Sequence, residues 1–98
     1  EALELVVHGD RNSSKVVGRR IEELPVIKGA HIGAIVRDTG ETEVVQKDGF
    51  LIDAMRTTVI IPHHDTVIEE NDHVIVFCVR KREVPQVEKL FQVGFQFL

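Results

Sequence analysis

Three features of this 98-residue chain predict a small, single α+β domain on a mostly antiparallel sheet. The opening segment "ALELVV" alternates, with Leu3, Leu5 and Val7 on one side, which is the period of a half-buried strand. The segment "HVIVFCV", residues 73–79, is almost continuously apolar and β-branched, as expected of a central strand covered on both faces. Between and after them lie two segments with helical spacing, so the full expectation is a sheet with one helix after the first strand and a second, C-terminal helix.

The elements follow in order. His8, Gly9 and Asp10 end the first strand. In "NSSKVVGRRIEELP", Asn12, Ser13 and Ser14 are N-cap candidates, Val17, Ile21 and Leu24 fall at i, i+4 and i+7, and Pro25 is a stop, which together predict a short amphipathic helix. Gly18 inside it disfavours the helix by about 1 kcal/mol against alanine and points to close packing on a neighbouring backbone. "HIGAIVR" reads as the second strand, with Gly33 and Ala34 leaving room for something to approach closely. In residues 38–57, Asp48-Gly49 suits a type I′ turn and places Lys47 opposite Phe50, Gln46 opposite Leu51 and Val45 opposite Ile52, a hairpin-like insertion. "TVIIP" is the third strand, closed by Pro62, which cannot donate to a ladder. Glu69 to Asp72 form a polar turn before the last strand. In "REVPQVEKLFQ", Pro85 sits in a first turn and Val87, Leu90 and Phe91 share a stripe, giving the closing helix. The tail "VGFQFL" carries Phe95, Phe97 and Leu98, which must bury on the core or on a partner chain.

Composition narrows the function. A chain of this length, 43% hydrophobic, suffices for one compact domain that buries roughly two-thirds of its extended surface. It has no apolar window long enough for a membrane-spanning helix and no signal-peptide start. A start at Glu1 without methionine is expected of a piece of a longer protein. The single Cys78 excludes an internal disulfide framework and fits a reducing, cytoplasmic compartment. With net charge −4 and one short basic cluster, Arg80 to Arg82, nucleic acid is not an expected partner.

The densest chemistry is "IIPHHDTVIEENDHVIVF". His63 and His64 point to opposite sides of an extended chain, so they share an ion only if the backbone bends, while His63 and Asp65 do so more easily. No C-x-x-C, H-E-x-x-H or EF-hand pattern accompanies them, which favours surface histidines and a solvated acidic turn over a metal centre. Cys78 lies in the most apolar strand, where a thiol is unreactive, and Ser13 and Ser14 are explained as caps. "GAHIG" has the wrong spacing for a dinucleotide loop. No enzyme motif stands out.

Two blocks resemble a known family. "RRIEELPVIKGAHIGAIVR", residues 19–37, and "VIIPHHDTVIEENDHVIVF", residues 59–77, with "VEKLFQ" near the end, are similar to the C-terminal domain of the regulators of potassium conductance, the TrkA-C (RCK-C) family. The matching features are the strand ending in Arg37, the strand ending in Pro62, the pair Asp65-Thr66 and the turn aspartate Asp72. Two departures stand out: Asn71 replaces a favoured glycine, which asparagine permits because it enters the left-handed region, and residues 38–57 are longer than the usual connection.

The resemblance implies a non-enzymatic regulatory domain over residues 1–98, on the cytoplasmic face of the membrane, acting on a potassium channel or transporter subunit. It implies a homo-oligomer, a dimer in particular, whose cleft binds a small ligand such as a cyclic dinucleotide or a divalent ion. Carried onto this sequence, the cleft is expected at His31, as a hydrogen-bonding group, at Pro62 and His63, and beside Gly33, which permits close approach. NAD/NADH or ATP/ADP would bind a separate N-terminal Rossmann domain. A ligand-free oligomerisation module is the alternative, and a small metal-dependent enzyme a third reading.

Overall fold

The computed structural model describes residues 1–92; the tail residues 93–98, and with them the question of what buries Phe95, Phe97 and Leu98, lie outside the described residues. Four strands, β1 (Ala2–Val6), β2 (Ala30–Lys47), β3 (Phe50–Ile60) and β4 (His73–Cys78), form one sheet in the order β1-β4-β2-β3, followed by a helix α1 (Val84–Phe91). Every pairing is antiparallel. The α+β class read from the sequence is the class observed.

The alternation of β1 works as its pattern dictates. Leu3 and Leu5 pack against the core, and Val7, just past the strand, is fully buried. β4 is central, paired with β1 on one side and β2 on the other. It is not covered on both faces, however: Val74, Val76 and Cys78 point into the core, while Ile75 is only half-buried and Phe77 is exposed. An unbroken apolar run therefore misreads this strand, because its outward positions are apolar without being enclosed. Val16, Val17, Ile35, Ile68, Val87 and Phe91 complete the core on the inner side.

The helix expected after the first strand is replaced by turns and a single 3-10 turn at Ile21–Glu23. Backbone groups that a helix would pair internally are taken by the loop that follows β3. Gly18 N–H donates to Ile68 O, Ile68 N–H to Arg19 O, Ile21 N–H to Thr66 O and Glu22 N–H to His64 O, at 2.8 to 3.0 Å. Gly18 adopts φ +77°, a left-handed conformation that ends any helix there. The buried Ser14 hydroxyl accepts from Val16 and Val17 N–H, and the Arg19 guanidinium donates to the carbonyls of Ser14 and Val17. Val16 and Val17 reach the core, and Ile21 and Leu24 pack against it, through this meander, so apolar spacing that reads as helical is satisfied without a helix. At the start of the meander, backbone N–H groups of Ser13 and Asn12 donate to the Asp10 carboxylate, which holds its pKa below the ordinary value.

The hairpin forms as its turn residues require. Asp48 and Gly49 have φ 52° and 82°, the paired left-handed geometry of a type I′ turn, and the register is Lys47↔Phe50, Gln46↔Leu51 and Val45↔Ile52. β2 and β3 thus run beyond the rest of the sheet as a two-stranded arm. A bulge between Asp38 and Thr42 marks its base, where Thr39 Oγ1 donates to Arg56 O and Gly40 takes φ +81°. The polar turn before β4 holds Asn71 at φ 70°, the left-handed position that the sequence assigns to it.

Candidate functional site: an apolar groove rimmed by three histidines

Where the meander, the start of β2, the loop after β3 and α1 meet, they enclose a groove of about 340 Å³. Its apolar lining includes Ile21, Leu24, Ile27, Ile32, Val76 and Phe91, and it also contains Pro62. The polar side chains lining it are His31, His63 and His64. A cavity of this size, mostly apolar with a few polar groups, has the character of a small-molecule site.

The loop carrying two of those histidines is fixed by backbone bonds. His63 N–H donates to Thr66 Oγ1 at 2.9 Å and Thr66 N–H donates back to His63 O at 3.1 Å, so Thr66 closes the turn that follows Pro62. His64 O accepts from Glu22 N–H at 2.9 Å, which ties this wall of the groove to the 3-10 turn on the other. That turn is itself braced. Arg20 N–H and the Arg20 guanidinium both donate to Glu23 Oε1, lowering the Glu23 pKa, the backbone bond being the larger cause.

His31, Pro62 and His63, distant in sequence, therefore line one groove. Gly33 does not. It sits in a bulge between Ile32 and Ala34, where β2 slips against β4, and a Cβ there would overlap the ring of Phe77. Close approach is real, but the group that approaches is a side chain of the sheet's outer face. Gly33→Ala should displace the Phe77 ring and destabilise the domain by about 1 kcal/mol in urea titration, and far less in a Phe77→Ala background.

Sequence reasoning weighs His64 as a metal ligand against a surface histidine, favours the latter, and misses it as a groove residue. Ile21, Leu24 and Phe91 were read as core stripe, and the same side chains that pack on the core also line the groove. Among the described residues no carboxylate lines the groove and no group of three or more His, Cys, Asp or Glu is placed to hold a metal ion. The histidines can donate or accept hydrogen bonds, and when protonated they favour an anionic ligand. Cys78 is buried in the core, as its apolar surroundings suggested, whereas Ser14, expected to cap a helix, is buried in a turn where its hydroxyl accepts from Val16 and Val17 N–H.

Away from the groove lining, near the other end of the β2–β4 ladder, stands a second polar cluster. Asp72, 1% exposed, accepts from Arg37 Nε and Nη2 at 2.9 Å each and from Glu69 N–H at 2.9 Å. Arg37 also reaches Glu69 Oε2 at 3.0 Å and donates to Val67 O at 2.8 Å. The Asp72 hydrogen bond, opposed by partial burial, raises the Arg37 pKa. This cluster is structural: it locks the loop over residues 67–72 to β2.

Sheet, pinned loop and groove define a small α+β domain of the kind that the two blocks at residues 19–37 and 59–77 resemble. No family model matches the chain. It is 42% identical over 97 residues, 99% of its length, to the Trk system potassium uptake protein TrkA of Halomonas elongata. It is 45% identical over 98 residues to the protein of that name from Vibrio alginolyticus, and 37% identical over 98 residues to that from Haemophilus influenzae, in both cases across all of its length. The chain spans 17% of the first of these relatives and 18% of the other two. These likenesses, across the whole chain and a small part of each relative, support a TrkA C-terminal domain.

Proposed function

We propose that residues 1–98 form one regulatory domain of a potassium uptake system, with residues 38–57 as an insertion, and that the histidine-rimmed groove binds a small regulatory ligand. The observation that carries this reading is the meeting of His31, Pro62 and His63 in one largely apolar groove, in a chain whose relatives are named for potassium uptake. Two copies pair, and a ligand that prefers one arrangement of the pair shifts the open and closed populations of a membrane transporter subunit. The domain works on the cytoplasmic side, without catalysis. Among the described residues no helix is long and apolar enough to cross a membrane, which fits attachment through the transporter. NAD/NADH or ATP/ADP belongs to another domain of the longer protein.

The absence of carboxylates from the lining favours a ligand with anionic and flat apolar parts, such as a cyclic dinucleotide, over a divalent ion. The unfolding midpoint of the chain measured with cyclic dinucleotides, mononucleotides, divalent cations and chelator tests this. A ligand at a hundredfold its dissociation constant adds about 2.7 kcal/mol of stability. The expected result is a shift with one nucleotide class, lost in His63→Ala and reduced in His31→Ala. Stabilisation by no compound would leave the second reading, a ligand-free oligomerisation module, which the exposed apolar side chains of Phe77 and Val59 on the outer sheet face favour. A shift with a divalent cation that chelator reverses would revive the metal-dependent reading.

A further inference from the structure

We infer that the hairpin arm, residues 38–57, is a clasp: in a symmetric pair of these chains each arm lies across the partner's β4 end, against Val79 and the Arg80–Arg82 segment. The inference rests on the pairing reading above and adds the surface and the chemistry that make the pair.

The first observation is the arm's own surface. An isolated two-stranded ribbon is marginal in water and needs another layer to persist. In the register observed, Val44, Leu51 and Met55 share one face, because 42, 44 and 46 on β2 lie opposite 55, 53 and 51 on β3. They are 65%, 75% and 51% exposed, with Asp53 the charged residue among them. On the opposite face Val45 and Ala54 are half-buried and Ile52 is 41% exposed, while Phe50, beside the tip, is 71% exposed. The arm therefore offers exposed apolar side chains on both faces, with acidic residues among and beside them.

Charge decides what covers it. Residues 38–57 contain Asp38, Glu41, Glu43, Asp48 and Asp53 against Lys47 and Arg56, a net −3 that makes up most of the −4 of the whole chain. An anionic lipid surface would repel such an arm. The matching surface on this chain is Arg80, Lys81 and Arg82, all exposed, immediately beyond Val79, 74% exposed, and next to the exposed Phe77. Arg82 makes no ion pair among the described residues.

Geometry makes the match intermolecular. Ala30 pairs with Cys78, so the basic segment adjoins the start of β2, whereas the arm is the far end of the same strand. The acidic arm and the basic segment lie at opposite ends of the molecule and do not meet within one chain. A two-fold axis brings the arm of each copy over the basic end of the other, forms the contact twice and closes the assembly at two copies. Opposite charges at such a contact select this orientation over others.

The test is the association of this chain measured by sedimentation equilibrium, at low and high salt, for four proteins. These are the natural chain, Asp48→Lys with Asp53→Lys, Lys81→Glu with Arg82→Glu, and the combination of all four changes. The expected result is a salt-sensitive dimer, a dissociation constant raised at least tenfold in each charge-reversed protein, and recovery to within about threefold in the combination. Leu51→Ser should weaken the dimer without altering its salt dependence. A dimer indifferent to both reversals overturns the clasp while leaving pairing intact. A natural chain that stays monomeric at high concentration overturns both.

Discussion

Asp72→Ala should be among the most destabilising single changes in this domain, lowering its unfolding free energy by about 3 kcal/mol in urea titration with an unchanged slope. The reason is the number of partners that one buried carboxylate satisfies. Both of its oxygens accept from the Arg37 guanidinium and one also accepts from Glu69 N–H, so truncation strands a charge that the fold has drawn out of water. Arg37 keeps Glu69 and is partly exposed, which holds the loss at the lower end of what a broken buried pair produces. The backbone adds to the damage. Asp72 O accepts from Val7 N–H, and Val7 O from Asn71 N–H, so a turn that loosens at Asp72 also loosens the end of β1. Asp72→Asn, which keeps the shape and some acceptor capacity, should fall between the two. A loss below about 1 kcal/mol for the alanine variant would mean that Arg37 finds another buried partner.

Ile35→Ala should have an effect of similar size, about 3 kcal/mol, because Ile35 is fully buried where β2 lies between β3 and β4. Its neighbours across the two ladders are Ile60 and Val74, which cannot close on the missing atoms without shifting the sheet. Ile35→Val should remove only about 1 kcal/mol. Ile35 and Arg37 lie on the same face of β2, so the alanine change should couple to Asp72→Ala, and a double-mutant cycle should depart from additivity by more than about 0.5 kcal/mol. Hydrogen exchange should report the effect in β4 and leave the arm beyond the Asp38–Thr42 bulge unchanged. Equal loss of protection in the arm would show that it unfolds as one unit with the core.

What the sequence conveys about this fold depends on how local each cause is. The Asp48-Gly49 turn is legible to the residue, because two adjacent positive φ angles select those side chains and the turn then sets the register of the arm. Pro85 and the Val87–Phe91 stripe place α1 for the same reason: a first-turn proline and periodicity are properties of one segment. The missing helix between Asn12 and Leu24 fails as a reading because its competitor lies some fifty residues away, in the carbonyls and amides of His64 to Ile68. No local pattern announces that bonding. Gly33 is a subtler case, since its small size is required, but the bulge beside it turns that requirement toward Phe77 rather than the groove. The groove is assembled from five segments, the meander, the start of β2, the loop after β3, β4 and α1, and periodicity alone does not bring His31 to His63.

The arm also has a practical use, because its Asp48-Gly49 tip stands clear of the core and nothing lies within 4 Å of where a Gly49 side chain would begin. A loop extended at such a tip adds only slowly to the entropy of closure. A fluorescent label or an inserted epitope at that tip would ride on a stem whose register is already fixed, and would report on the arm without disturbing the groove.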